Sequence, residues 1–440
     1  MVAGALALVA IARWGWALLQ HAPVLFGEGA VAHAAMLARD RLEYGPYPAD
    51  AIFVAANYTP LFFHLAAIGD PFVTGRIASI VSTLFVAAAI AYRARRAGVL
   101  AAGGLAAAWL AAAPVAVWGP AMKPDLVALA LTVAAVLAID SRRPALAGAL
   151  LALAIWAKPT EAFPAIALFA YLLLTQRRGV APFVLSAVVA TIVAAVATHL
   201  PDGAMLEHVW RWNQLAWHPD QAVLLGIVGL LVAGVPIVAL AVLRPRDAIG
   251  AYAVGALVVV ALGGREGATI NYLLDLLAAT WLAIAAALPR IATSRVFPIA
   301  VVAQTIVAVV LLDPTGILPG RAINTGAWES PERAAVVRSL GGALLVEDSG
   351  LLVANGRTPA VDDLFLWSRL QDERGDTRLL DAVRGGTFDA VVSETDLAQL
   401  EAAPLWERQR WHPALVEAVL SRYRLTDRVV GLYVYERSRD

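Results

Sequence analysis

The feature that most restricts this chain is a succession of apolar runs with almost no charge inside them. They lie near residues 2–20, 76–92, 99–117, 125–139, 144–157, 160–175, 181–198, 222–243, 249–262, 271–288 and 296–312. A helix crossing a bilayer needs about 20 apolar residues, and backbone groups there have no water to bond, so helices or closed barrels are the only spanning forms. The spacing predicts about eleven transmembrane helices, the shorter ones extending into neighbouring polar residues. Only 15% of residues are charged, against about 25% in soluble proteins, so a polytopic α-helical membrane protein is expected. Val2 to Leu19 lacks a basic leader and a cleavage site, and reads as a retained span. Arg13 within it needs a partner or a polar cavity.

Charged turns set the orientation. Arg93/Arg95/Arg96, Arg142/Arg143, Arg177/Arg178, Arg244/Arg246 and Arg290/Arg295 alternate with turns holding one cation, Lys123, Lys158, Arg211 and Arg265. Arginine-rich short loops stay cytoplasmic. The alternation therefore puts the N-terminus inside and the loop from Gly27 to His64 outside, provided that Pro60 to Ile68, too short to cross, lies along the surface as a juxtamembrane element. A bacterial inner or plasma membrane is the expected setting. After Leu312 the composition becomes that of a soluble domain, so residues 1–312 read as a membrane domain and 313–440 as a small extracytoplasmic α/β domain. Its expected strands are 343–346, 389–392 and 429–435, and its expected helices 331–340, 377–385 and 413–422, the first opened by Ser330 as N-cap and Pro331. Lys plus Arg and Asp plus Glu balance at 34 each, which argues against nucleic acid as a partner. Cysteine is absent, which excludes disulfides and thiolate metal sites.

The unusual polar residues fall in the outer turns. Glu28 lies between Gly27 and Gly29, whose flexible backbone can bring a substrate close to the carboxylate. It is a candidate general base, or else a solvated acid at a helix end. Asp125 follows Lys123-Pro124, where it either caps a helix or serves the chemistry. Lys123, Lys158 and Arg265 suit a phosphate, or reach to lipid headgroups. His21, His33, His64, His199, His208 and His218 gather in outer or adjoining segments without a metal-binding spacing, so no metal site is assigned. Trp210, Trp212 and Trp217 suit an interfacial belt or a sugar face.

Taken in order, these motifs resemble the GT-C superfamily of membrane glycosyltransferases, in the branch of protein O-mannosyltransferases and lipid A aminoarabinose transferases. Glu28 matches the acidic motif of the first outer loop, and NYTPLFFHL at 57–65 the segment that closes it. Gly75-Arg76, KPD at 123–125, KPT at 158–160 and REGATINYLLD at 265–275 look like further family positions. The chain departs from many relatives, which carry adjacent Asp-Glu where Gly27-Glu28 stands. The resemblance implies a sugar donor on polyprenyl phosphate, an extracytoplasmic acceptor in a glycan, lipid or protein, and inversion at the anomeric carbon. In that frame Glu28 deprotonates the acceptor, Asp125 assists or binds sugar hydroxyls, and Lys123, Lys158 and Arg265 meet the phosphate. Asn57, Tyr58, Asn271 and Tyr272 add hydrogen bonds. No divalent-metal cofactor is indicated by the sequence. A transporter or flippase of lipid-linked sugars and a non-catalytic membrane assembly protein stay open as alternatives.

Overall fold

The computed structural model describes residues 2–47, 51–198, 203–291, 296–312 and 329–438. The first part of the chain forms α1 (Val2–Leu18), α2 (Glu28–Ala38), α3 (Leu61–Ala66), α4 (Pro71–Ala94), α5 (Val99–Ala111), α6 (Ala113–Trp118), α7 (Asp125–Asp140) and α8 (Pro144–Ala157). It continues with α9 (Ala162–Thr175), α10 (Val180–Ala197), α11 (Gly203–Leu206), α12 (Pro219–Leu243), α13 (Ala248–Ala261), α14 (Leu274–Ile291) and α15 (Val296–Leu312). Every apolar run named above is thus helical. The run at 99–117 divides into α5 and α6 at extended Ala112, where Pro114 in the first turn of α6 cannot continue the hydrogen-bond ladder.

Among the described residues, four stretches are long and apolar enough to cross a membrane: Pro71–Ala97, Arg177–Ala197, Pro219–Leu243 and Ile270–Pro289. They differ in surroundings. The last is 89% buried and packs as the central helix, whereas Arg177–Ala197 is 17% buried and turns apolar residues such as Leu185, Ile192 and Val193 outward, as a lipid-facing helix does. The chain is an integral membrane protein. Helices α2 and α3 are too short to cross, in keeping with a loop that lies along the bundle's end.

Two polar devices inside the bundle satisfy otherwise costly groups. Arg13 is 4% exposed and donates to the Ala116 carbonyl, which also accepts from Trp14 Nε1 at 3.0 Å. A carbonyl near the end of α6 is thus one of its partners. In α12 the backbone leaves helical geometry at Ala233, three residues before Pro236. Gln304 of α15 fills the break, donating to the carbonyls of Leu230 (2.8 Å) and Leu231 (3.2 Å) and accepting from the Val235 amide at 2.8 Å.

The C-terminal part has a four-stranded sheet, β1 (Leu344–Val346), β2 (Ala390–Ser393), β3 (Tyr423–Val429) and β4 (Leu432–Arg437), in the order β1-β2-β4-β3. β1 and β2 run parallel, and the other pairs are antiparallel. Helices α16 (Ser330–Ser339), α17 (Gly350–Val353), α18 (Leu364–Arg374), α19 (Arg378–Arg384), α20 (Leu405–Arg408) and α21 (Pro413–Arg422) accompany it. The expected single strand at 429–435 is instead a hairpin turning at Val430-Gly431. Its first arm escaped notice because, of β3, only Tyr423 is buried. Ser330 does not cap α16: Glu329 occupies the cap position, and the Ser330 hydroxyl donates to the Pro23 carbonyl at 2.6 Å.

Division at residue 312 follows chain order but not packing. Phe53, Ala55 and Trp212 lie in one core with Leu364, Leu366 and Trp367. Ala22 packs with Val337 and Leu344, while Val353 sits among Val31, Phe62 and Phe63. The expected boundary residue Asp313 lies outside the described residues.

Candidate active site

Asp125 is the hub of the polar end. It opens α7 without capping it, since the cap position belongs to Pro124 and no side chain bonds there. The carboxylate is 2% exposed, and its Oδ1 accepts from Lys158 Nζ and from Asn271 Nδ2, both at 2.7 Å. Its Oδ2 is buried with no partner among the described residues. Lys158, in extended backbone just past α8, is held over the Tyr272 ring with Nζ 5.4 Å from the centroid. Arg265 donates to the Tyr272 hydroxyl at 2.6 Å and to the Asn213 carbonyl at 2.8 Å, leaving Nε buried without a partner among the described residues. The Tyr58 phenol lies within the electrostatic reach of Asp125, Lys158, Tyr272 and Arg265. Asn57 joins through its carbonyl, which accepts from Asn213 at 3.2 Å. Three separate turns, each a polar island between apolar helices, thus meet at one end of the bundle.

Two further buried acids, Glu161 and Asp275, act on Lys158, and neither is among the site residues expected above. Glu161 is 1% exposed; Oε2 accepts from the Thr132 hydroxyl at 2.8 Å, and Oε1 has no partner among the described residues. Buried Asp275 accepts from the Tyr252 hydroxyl at 2.8 Å. Glu161 directly follows KPT, and Asp275 is the last residue of REGATINYLLD.

Glu28 has a different environment. It is fully buried, with Oε2 accepting from the Val24 amide (2.8 Å) and Arg76 Nη2 (2.6 Å), and Oε1 from the Met122 amide (2.7 Å). Arg76, also fully buried, reaches on to the carbonyls of Ala17, Gln20 and Ala22. A general base must turn an oxygen toward the proton it removes. Both oxygens of Glu28 accept from donors of this chain, so its packing joins the end of α1, α4 and the Met122 turn, and the base role expected from its sequence context requires one of these bonds to open. Beside it, Gly27 adopts φ +76°, and a Cβ there would stand 2.8 Å from Lys123 Nζ. The Lys123 ammonium has no hydrogen-bond or ion-pair partner among the described residues, though Asp125, Asp363, Glu28 and Asp348 all act on it.

Two of those carboxylates come from the C-terminal part. Asp362, 3% exposed, accepts from His33 Nδ1 of α2 at 3.0 Å and from the Ala55 amide at 2.9 Å. The Ser349 hydroxyl donates to the Asp362 carbonyl at 2.6 Å, and Gly350 approaches Gly29 so closely that a Cβ on Gly29 would collide with its backbone. Burial and Glu394 push the Asp348 carboxyl up to about 8, against the Gly350 amide. Burial pushes Asp363 up to about 6, against the Leu366 amide and Lys123 and aided by Asp362. In a soluble domain such acids look ordinary, and nothing in the sequence marked them.

His21, His33, His64 and His218 pair singly with Asp70, Asp362, Glu43 and Glu266. His199 and Arg295 lie outside the described residues. No group of three or more potential metal ligands gathers among the described residues. Trp212 stacks between His208 and Phe53, while Trp210 and Trp217 are exposed.

No protein-family model matches the sequence, and no curated protein is similar to it. Among solved structures, the chain is similar to ArnT from Cupriavidus metallidurans bound to undecaprenyl phosphate, with a TM-score of 0.57 and 14% identity over 98% of this chain and 97% of that one. The apo state of the same protein gives 0.58 and 15% over 98% and 96%. The Archaeoglobus fulgidus oligosaccharyltransferase tethered with an acceptor peptide gives 0.46 and 11% over 100% and 74%, too distant to carry weight. The likeness covers nearly the whole of both chains, membrane helices and C-terminal sheet alike, and this chain has the fold of ArnT.

Proposed function

We propose that this protein is an inverting glycosyltransferase that moves a sugar from a polyprenyl-phosphate donor to a hydroxyl of an extracytoplasmic acceptor. The observation that carries this reading is the gathering of Lys123, Lys158 and Arg265 around Asp125 at the mouth of an apolar bundle. Such a place suits a ligand with a charged head and a long apolar tail. The likeness to ArnT, one of whose structures holds undecaprenyl phosphate, supports the same reading. A phosphate leaving group needs its growing charge met more than it needs a proton, so fixed cations can replace the acid of a glycosidase. Lys123, unpaired among the described residues, and Arg265, with its spare Nε, receive the phosphate, while Lys158 orients Asp125. The free oxygen of Asp125 accepts from sugar hydroxyls, with Asn271, Tyr58, Tyr272 and Asn57 lining the head group. Glu28 braces the site through Arg76 and Met122.

In this reading the arginine-rich turns lie in the cytoplasm and the site opens on the outer face of a bacterial plasma membrane. A transporter of lipid-linked sugars would use a broken helix to hold cargo, but Gln304 already fills the break in α12. Binding of undecaprenyl phosphate to the full-length protein, read by native mass spectrometry, tests the proposal. Lys123→Ala and Arg265→Ala should each weaken it about tenfold or more, since hydrogen bonds to charged groups are worth roughly 1.5–3 kcal/mol. Undiminished binding by both variants would overturn the phosphate assignment.

A further inference from the structure

Resting on that reading, we propose that Asp363 of the C-terminal part is the carboxylate that deprotonates the acceptor, so that the soluble half of the chain completes the active site. Gly27, where a Cβ would stand 2.8 Å from Lys123 Nζ, has no side chain to offer. Its neighbour Glu28 is closed by three donors. Asp125 is committed elsewhere in this reading, Oδ1 to Lys158 and Asn271 and Oδ2 to the sugar hydroxyls. The carboxylates that remain near Lys123 are Asp348 and Asp363.

Neighbouring contacts fix where Asp363 stands. Asp362, one residue before it, is bonded to His33 of α2 and to the amide of Ala55 in the first outer loop. Phe365, two residues after it, lies against Gly267 in the loop between Arg265 and Asn271. Asp363 is thus held between two of the outer segments that build the site, with Lys123 close enough to act on its charge. Its Oδ1 caps α18 by accepting from the Leu366 amide at 2.8 Å, while Oδ2 has no hydrogen-bond partner among the described residues. The side chain is half-buried and not sealed, unlike Glu28.

The two C-terminal acids differ in proton state. Asp348 is buried, with Oδ1 accepting from the Gly350 amide at 3.0 Å, and its carboxyl, pushed up to about 8, is mostly protonated at neutral pH. Asp363, pushed up to about 6, is ionised there, yet more basic than an ordinary carboxylate, as base catalysis near neutrality favours. The groups acting on it are Asp362 from its own turn, Lys123 from the turn before α7 and the Leu366 amide. In the step, the acceptor oxygen forms a bond to the anomeric carbon as its proton passes to Asp363 Oδ2. The bond from that carbon to the phosphate oxygen breaks, and polyprenyl phosphate leaves with the electron pair.

The test uses full-length protein in membranes, with labelled undecaprenyl-phosphate hexoses and pentoses as donors and endogenous membrane components as acceptors. Asparagine caps helices as well as aspartate does, so Asp363→Asn should keep its melting temperature and its binding of undecaprenyl phosphate. Transfer should fall about 10²–10⁴-fold, the usual contribution of a general base, and the variant should lose the acid limb of the wild-type pH profile near pH 6. Wild-type transfer by a folded Asp363→Asn variant would overturn the inference while leaving the phosphate assignment intact. A wild-type chain that neither binds undecaprenyl phosphate nor transfers any of these sugars would overturn the function proposed above, and this inference with it.

Discussion

Glu28 and Arg76 show how much a single buried pair can hold. The guanidinium serves three carbonyls at the end of α1 besides the carboxylate, and the carboxylate serves two backbone amides besides the guanidinium. Removing one charge from a buried pair strands the other, at a cost of roughly 3–5 kcal/mol. Glu28→Gln should therefore lower the melting temperature by several degrees in a fluorescence-detected thermal scan. An inactive variant with an unchanged melting temperature would restore the base role to Glu28. The hub around Asp125 was legible in the sequence because Lys123, Lys158, Arg265 and Asn271 are rare polar residues between apolar runs. Asp363 was not, because an acid in a polar domain carries no such contrast and its approach to Lys123 depends on tertiary contacts.

At the scale of elements, hydrophobic run length located the membrane helices, since only helices satisfy their backbone groups without water. It could not foresee how a break inside one would be filled. Gln304 sits in an otherwise apolar α15 and serves three backbone groups of α12. Gln304→Leu, which fits the space but cannot bond, should cost roughly 1–3 kcal/mol by leaving those groups unsatisfied. Equal resistance of variant and wild type to thermal inactivation in detergent would show that the break is satisfied otherwise. In the C-terminal sheet, apolar pattern found β1, β2 and β4, which are buried, and missed β3, whose residues after Tyr423 face outward or lie half-buried.

For the whole molecule, the junction between the two halves carries a titratable signature. Asp348, close to Glu28, holds a proton up to about pH 8 in the folded chain, whereas an unfolded aspartate releases it near pH 3.9. The folded state binds the extra proton, so this group's contribution to stability is full below about pH 4 and lost as pH rises through about 8. The slope between them is up to about 1.4 kcal/mol per pH unit. Asp348→Asn removes the dependence, and its melting temperature should rise relative to wild type as pH goes from 5 to 8. A constant difference across that range would dissociate Asp348 from the effect. The backbone contact between Gly29 and Gly350 has a consequence for how such chains can diverge. Any side chain larger than hydrogen at Gly29 must be matched by a shift at Gly350 more than three hundred positions away. Halves from two lineages joined at the natural seam would thus meet as mismatched surfaces, and the C-terminal region should be inherited with its own membrane partner, not shuffled as a module.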